Sequence, residues 1–292
     1  MAGTYNASVT VTGKAVIVHG ERATWNAATG ARTLEINDGG SVRLIGITAG
    51  NLNTSSTGIV IGCELTTATA STPTLVIDEA IIDSAASNAV YADDCTVSIS
   101  NSELRAHGGA AVLLVSGGTV LVDRSVIDGG EGTWNVGGTL RITNSILRNH
   151  TGTNGAFVAV SPTFVEFSTI VNALVKCGSG VPACVTTGNV NGVCINNSII
   201  YNPGGPTDTV QGSACVLARS LVYPQATTPS GTSNQLGVSP QMKAPSTGDY
   251  RLLSTSPAID TADPGATNPI DFDGVSRPQG VSYDIGAFEY KP

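Results

Sequence analysis

TLRITNSILR, residues 139–148, alternates apolar and polar side chains through Leu140, Arg141, Ile142 and Thr143. It turns at Asn144-Ser145 and resumes with Ile146-Leu147. Alternation with a period of two is the pattern of a half-buried strand. The stretch is one of a series: SVRLIGITAG (41–50), TLVIDEAIID (74–83), TVSISNSELR (96–105), TVLVDRSVID (119–128), FVEFSTIVN (164–172), GVCINNSIIY (192–201) and ACVLARSLVY (214–223). Small residues mark the corners at Ala80, Ser102, Ser125, Ser145, Thr169, Ser198 and Ser220, at intervals of 22, 23, 20, 24, 29 and 22 residues. A repeat of this length is the signature of a solenoid, whose units bury their apolar side only by stacking. The units are too short for a strand–helix–strand crossover, which needs ~30 residues. They are rich in Val, Ile and Thr, as strands are.

Between residues 87 and 174 each unit carries a second apolar run. AVLLV (111–115) precedes TVLVDRSVI, and TWNV (133–136) precedes TLRITNSIL, with glycine-rich corners at Gly117-Gly118 and Gly137-Gly138. One further short run per unit closes a three-sided coil. The expected fold is all-β, a right-handed single-stranded parallel β-helix. Its coils occupy residues 1–223, a Pro/Ser/Thr-rich strap or linker 224–247, and an irregular C-terminal capping segment 248–292. In such a coil Leu140 and Ile142 point inward and Arg141 faces water. Asn101, Asn144 and Asn197 stack along one edge beside Ser102, Ser125, Ser145 and Ser198, bonded along the axis.

The chain has 292 residues, a net charge of −8 and a pI near 4.7. That balance argues against nucleic acid and anionic membranes as partners. An acidic polysaccharide would need a local basic cluster drawn from four Lys and ten Arg. No segment approaches the ~18 consecutive apolar residues of a membrane span, and no charged-then-apolar leader stands at Met1. The six cysteines, Cys63, Cys95, Cys177, Cys184, Cys194 and Cys215, lack C-x-x-C spacing, which disfavours zinc. Disulfides between Cys63 and Cys95, Cys177 and Cys184, and Cys194 and Cys215 are expected, and with them an exported protein. Buried free thiols are the alternative.

The tail carries GDYRL (248–252), SPAID (256–260), DFDGVSRPQG (271–280) and DIGAFEY (284–290). These motifs resemble the C-terminal segment of bacterial secreted right-handed parallel β-helix proteins, often called the choice-of-anchor Q type. Residues 3–223 resemble the wider pectate-lyase-like superfamily through their repeat pattern. The resemblance implies a bacterial protein that is extracellular or at the cell surface, and no particular activity. In such proteins a segment like Gly3-Thr4-Tyr5 follows an amphipathic capping helix, so a leader and cap are expected upstream of Met1. The tail residues themselves set Asp260, Asp271, Asp273, Asp284 and Glu289 around one cation, Arg277, as a clamp over the open end of the coil. Asp271-Phe272-Asp273-Gly274 also has the pattern of a cation loop, with calcium as its ion. No cofactor is otherwise required.

Tyr91-Ala92-Asp93-Asp94-Cys95, with His107-Gly108 downstream, is similar to polygalacturonase-type glycosidases, which carry paired Asp before a Cys and a later Gly-His-Gly. One carboxyl would protonate the leaving oxygen while the other activates water. The chain departs from that pattern. The earlier Asn-Thr-Asp element is missing, Ala106 replaces a glycine, and no Arg-x-Lys element follows. Asp93, Asp94 and His107 are therefore catalytic candidates set against turn-forming carboxylates. A lyase would need basic groups and a cation for uronate. Arg105, Arg124 and Arg141, with Arg148, recur at related places in successive units as a ligand-binding stripe or as solvent-facing charge. Trp25 and Trp134 offer rings for sugar stacking or for coil-edge packing. Thr10-Val11-Thr12 starts no longer rank, so an ice-binding array is set aside. Two functions follow. The first is a non-enzymatic adhesive, scaffold or glycan-contacting module. The second is a glycoside hydrolase or polysaccharide lyase acting on acidic polysaccharide.

Overall fold

The computed structural model describes residues 3–27, 31–51, 59–152, 155–159, 161–177 and 193–292. The repeats stack into a parallel solenoid with three faces. The first face is built from Thr74–Asp78, Thr96–Ser100, Thr119–Asp123, Thr139–Thr143, Thr163–Glu166, Val193–Asn196 and Cys215–Ala218. The second is built from Ile81–Ser84, Glu103–Ala106, Val126–Asp128, Ile146–Arg148, Thr169–Val171, Ile199–Tyr201 and Leu221–Tyr223. The third holds Val9–Thr12, Leu34–Asn37, Ile61–Glu64, Val90–Asp93, Val112–Leu114, Thr133–Asn135 and Phe157–Ala159. In the first coils the long strands Ala15–Ala27 and Ser41–Asn51 run through the first two faces.

Register places like positions above one another, so the core is a set of apolar columns. Ile77, Ile99, Val122, Ile142, Val165, Ile195 and Leu217 form one, and Ile82, Leu104, Ile127, Leu147, Ile170, Ile200 and Val222 another, all buried. Leu140 and Ile142 face inward, as the alternation requires. Arg141 projects outward, its guanidinium 4.2 Å from the centre of the Phe164 ring. Thr74, Thr96, Thr119 and Thr139 also stack, but in one column only, not in paired ranks.

The corner between the first and second faces is held by a chain of serine hydroxyls. The residue before each serine sits in the left-handed region, with φ of 44° to 50° at Asn101, Arg124, Asn144, Phe167, Asn197 and Arg219. This turn aims the following N–H along the coil axis, away from any strand partner. The backbone N–H of Ser102 donates to Ser125 Oγ (3.1 Å), Ser125 to Ser145 (3.2 Å), Ser145 to Ser168 (3.2 Å), Ser168 to Ser198 (3.1 Å) and Ser198 to Ser220 (3.2 Å). Each hydroxyl in turn donates to the carbonyl two residues earlier in its own coil. The N–H and O–H of each of these corner serines are thereby paired. The corner residue of the 164–172 unit is thus Ser168, not Thr169.

The asparagines do not stack on one another as expected. Each reaches a different partner, because consecutive corners carry Asn, Arg or Phe in turn. Asn101 and Asn144 donate to the carboxylates of Asp78 (3.0 Å) and Asp123 (3.1 Å) in the preceding coil. Asn197 accepts from the Asp263 N–H at 2.8 Å.

Parallel pairing continues past Tyr223 through Ser230–Thr232 and Gln235–Leu236. The chain then forms an antiparallel pair, Met242–Ala244 with Asp249–Leu252. The tail lies along the outer side of the second face instead of across the end of the coil. Tyr250, Leu252, Ala258, Ile285 and Phe288 pack there against Ile146, Phe167, Val171, Ile199 and Leu221. These outward positions are apolar, so the tail removes them from water.

Cys63 and Cys95 are joined, with Cα atoms 5.9 Å apart. The expected Cys177–Cys184 and Cys194–Cys215 pairs are replaced by Cys177–Cys215, with Cα atoms 5.3 Å apart. Cys194 stands in register with Val216, and Cys215 with Val193. A one-residue offset points the two sulfurs to opposite sides of the sheet. Cys194 is disulfide-bonded as well, and Cys184 lies outside the described residues.

Replacing Ser145 by alanine leaves the buried N–H of Ser125 without an acceptor. Denaturant unfolding should show a loss of about 1–3 kcal/mol, larger than for alanine at the exposed Ser116. A second expectation concerns His150, which is buried with Nδ1–H donating to the Gly129 carbonyl at 2.8 Å. Burial lowers its pKa from 6.5 to about 4. Between those values the unfolded chain takes up a proton that the folded chain refuses, so stability falls as pH drops through that window. The loss attributable to His150 should reach about 3 kcal/mol, and His150→Gln should flatten that part of the stability–pH curve.

Candidate functional site

The structure separates the residues of the polygalacturonase-like motif. Asp93 ends the third-face strand Val90–Asp93, in register with Glu64. Asp94, at φ 48°, opens the corner toward the first face, and its carboxylate fills the space a side chain at Gly117 would need. His107 follows the second-face strand Glu103–Ala106, with Nε2 3.1 Å from Asp83 Oδ1. The thirteen residues from Asp94 to His107 carry the chain around two of the three sides, so His107 does not converge with Asp93 and Asp94.

Nor do the arginines form one stripe. Arg105 lies on the second face, Arg124 at the corner and Arg141 on the first face. Arg105 and Arg148 share a column that alternates in sign: Asp83, Arg105, Asp128, Arg148. Arg105 bonds Glu103 at 2.7 Å, and Arg148 bonds Asp128 at 2.8 Å and Glu103 at 3.2 Å. The charges cancel within the column and leave no basic groove.

The side chains that do converge line a polar cleft of about 760 Å³ between the serine corner and the tail loop 263–270. One wall is the outward end of successive first-face strands: Asp123, Thr143, Glu166, Asn196 and Ala218. The left-handed corner residues Asn144, Phe167, Asn197 and Arg219 continue it. The opposite wall is docked by the amides of Asn144 and Asn268, which exchange bonds of 3.1 and 2.7 Å. Arg219 Nε lies 3.8 Å from Asp263 Oδ1. Asp123 is held by Thr143 Oγ1 (2.8 Å), Asn144 Nδ2 (3.1 Å) and Arg124 Nε (3.0 Å). Glu166 also lines the cleft, and its carboxylate makes no hydrogen bond or ion pair among the described residues. Sequence reasoning missed this cleft because one wall is assembled from several coils and the other from the separate tail loop 263–270. The available signal was the run of polar residues closing each first-face strand.

In the tail, Arg277 is fully buried and bonds one carboxylate, Glu289, at 2.9 Å. It also donates to the carbonyls of Asp284 (3.2 Å) and Gly286 (2.8 Å) and lies 4.8 Å from the centre of the Phe167 ring. Burial pushes the Glu289 carboxyl up and the Arg277 guanidinium down, and their attraction opposes both shifts. Of the other tail carboxylates, Asp271 and Asp284 lie near enough to favour the cation electrostatically, but Glu289 is the one that forms an ion pair with it among the described residues. Asp284 accepts from the N–H groups of Asp260 (2.7 Å) and Tyr290 (2.6 Å), and Asp260 from Ser282 (2.8 Å). Asp271 accepts from Val275 (2.7 Å) and Glu289 (2.8 Å). Both oxygens of Asp271 are thus committed to backbone, and Asp273 is the freer member of the cation-loop pair. Burial and the neighbouring Asp271 raise the Asp273 pKa. Among the described residues, no group of three or more His, Cys, Asp or Glu is placed to hold a metal ion.

No family model matches the chain, and no curated protein does. Among solved structures the chain is similar to the pectate lyase Pel9A, at 12% identity over 99% of this chain and 86% of that one, with a TM-score of 0.46. A likeness of that size supports no argument, and the fold rests on the strand pairings above. Among the described residues no helix is long and apolar enough to cross a membrane.

Arg277→Ala leaves Glu289 buried and unpaired, a change that costs about 3–5 kcal/mol. The tail should become sensitive to limited proteolysis beyond Leu236, while the far-ultraviolet circular dichroism of the coil persists.

Proposed function

We propose that this protein is an exported solenoid that contacts glycan without turning it over, through the cleft between the serine corner and the tail loop. The observation that carries the reading is the lining of that cleft. Carboxamides, hydroxyls and carboxylates project at regular intervals from successive coils, and the Glu166 carboxylate makes no hydrogen bond or ion pair among the described residues. Hydroxyl-rich ligands are recognised by such convergent polar groups. The acidic lining and the net charge of −8 disfavour polyuronates and favour uncharged chains. Two disulfides among the described residues support export, as do the tail motifs. Calcium at Asp271 and Asp273 stays a proposal for the tail, apart from the cleft.

A second reading is hydrolysis. Asp123 and Glu166 occupy one outward column two coils apart, roughly 9.6 Å at the usual strand spacing. Inverting glycosidases hold their two carboxyl groups about 6.5–9.5 Å apart. Asp123 is already engaged by three donors, which favours binding over catalysis.

A screen of neutral and acidic polysaccharides for both retention and reducing-end release separates the two. The binding reading expects retention of a neutral glycan, weakened by Glu166→Gln, with no reducing ends formed. Release of reducing ends that Glu166→Gln abolishes would establish the hydrolase instead.

A further inference from the structure

The third face carries a surface of a different kind from the cleft. Its outward column runs Glu35, Gly62, Tyr91, Leu113 and Trp134 in consecutive register. Gly62 has no side chain, and the Arg32 guanidinium fills the gap; a Cβ at Gly62 would collide with it. Arg32 lies 5.5 Å from the centre of the Tyr91 ring and pairs with Glu64, with Glu35 4.0 Å away. Trp134 Nε1–H donates to the Glu131 carbonyl at 3.3 Å, which pins the indole beside the column. A guanidinium plane, a phenol, a leucine and an indole therefore follow one another along the axis, one per coil. Val136, 46% exposed, widens the strip beside Trp134. Glu64 and Asp93 border its other end.

The second face also has an apolar outer column, and there the tail covers it. Over the third-face column no segment packs among the described residues, and Tyr91, Leu113 and Trp134 stay partly open to solvent. The strip advances one position per coil, which repeats at ~4.8 Å. That rise is close to the advance per ring of an extended pyranose chain, so successive sugars can meet successive coils. Aromatic faces attract the C–H faces of such rings, and the Tyr91 hydroxyl offers a polar tip to bond their hydroxyls, whereas the Trp134 N–H is held by Glu131. Glu35, Glu64, Asp93 and Asp94 outnumber Arg32 at the border, so the local charge repels uronates.

We infer that the Arg32–Tyr91–Trp134 column is a stacking platform for an extended, uncharged glycan, separate from the corner cleft. The inference rests on the glycan-contacting reading and assigns it a second site and a ligand class. Trp134 reports on this site directly, because the other tryptophan, Trp25, is buried with Nε1–H bonded to the Ala7 carbonyl at 2.8 Å. The experiment is titration of Trp25→Phe protein with cellohexaose and with hexagalacturonate, followed by indole fluorescence. Calorimetry on the unmodified protein, Trp134→Ala and Tyr91→Ala runs beside it and replaces it if Trp25→Phe disturbs the coil. Saturable quenching by cellohexaose, little response to hexagalacturonate and binding weakened roughly tenfold or more in Trp134→Ala are expected. Undiminished cellohexaose binding by Trp134→Ala, with loss in Glu166→Gln, overturns the platform and leaves the cleft reading standing. Preference for hexagalacturonate overturns the assigned ligand class. Absence of binding to any neutral glycan overturns both.

Discussion

From Ala80 to Ser220, each coil of this protein is locked to the next by one buried hydroxyl. At the corner between the first and second faces the chain makes its turn in a left-handed residue, and the next N–H points along the axis where no strand can meet it. A serine one coil further on accepts that bond and spends its own proton on a carbonyl two residues back. At the last step the Asn234 carboxamide takes the serine's place, accepting from the Ser220 N–H at 3.0 Å. Register follows from this chain of bonds. A slip of one residue would carry every serine outward and every core isoleucine into water.

Fixed register gives the outer surface its order. Because like positions stack, each face displays columns, and the three faces differ in what the columns hold. The first closes in Asp, Ser, Thr, Glu and Asn. The second alternates carboxylate and guanidinium over its early coils and turns apolar over its later ones. The third sets planar groups in line. The tail settles on the apolar part of the second face, and its buried Arg277–Glu289 pair folds it into a shape that fits there. Its contacts with Asn144 and Asn197 explain why those two corner residues are asparagines: the side chain tolerates the left-handed turn and still offers an amide to a partner.

The glycan reading depends on both levels. The coil alone presents shallow polar rows, and docking the 263–270 loop against one of them creates a cleft with two walls. Acid outnumbers base along that cleft and along the third-face strip. A uronate chain would meet repulsion at both, whereas hydroxyls find acceptors in excess. The polygalacturonase-like motif would need Asp93, Asp94 and His107 around one bond, and His107 stands two sides of the coil away from the two carboxylates.

The sequence by itself determined the architecture. Period-two alternation, recurrence every twenty-odd residues and small residues at the corners suffice to specify a three-sided parallel coil, with Leu140 and Ile142 inside and Arg141 outside. The expected Cys63–Cys95 pair also formed, between adjacent turns, although Cys63 is in register with Ala92 and Cys95 follows three residues later at the corner. Where the unit length varied, the reading slipped: Thr169 stood for Ser168, and Cys194 for the true partner of Cys215. A single residue of offset changes which side of the sheet a group faces, and loops of uneven length hide that offset. Only the tertiary structure decided where the tail lies, that Asn144 meets Asn268, and that Asp94 and His107 are held apart. Those facts depend on the angle at which each side chain leaves the coil and on which outer column offers apolar area to cover. Neither quantity is local to any stretch of the chain.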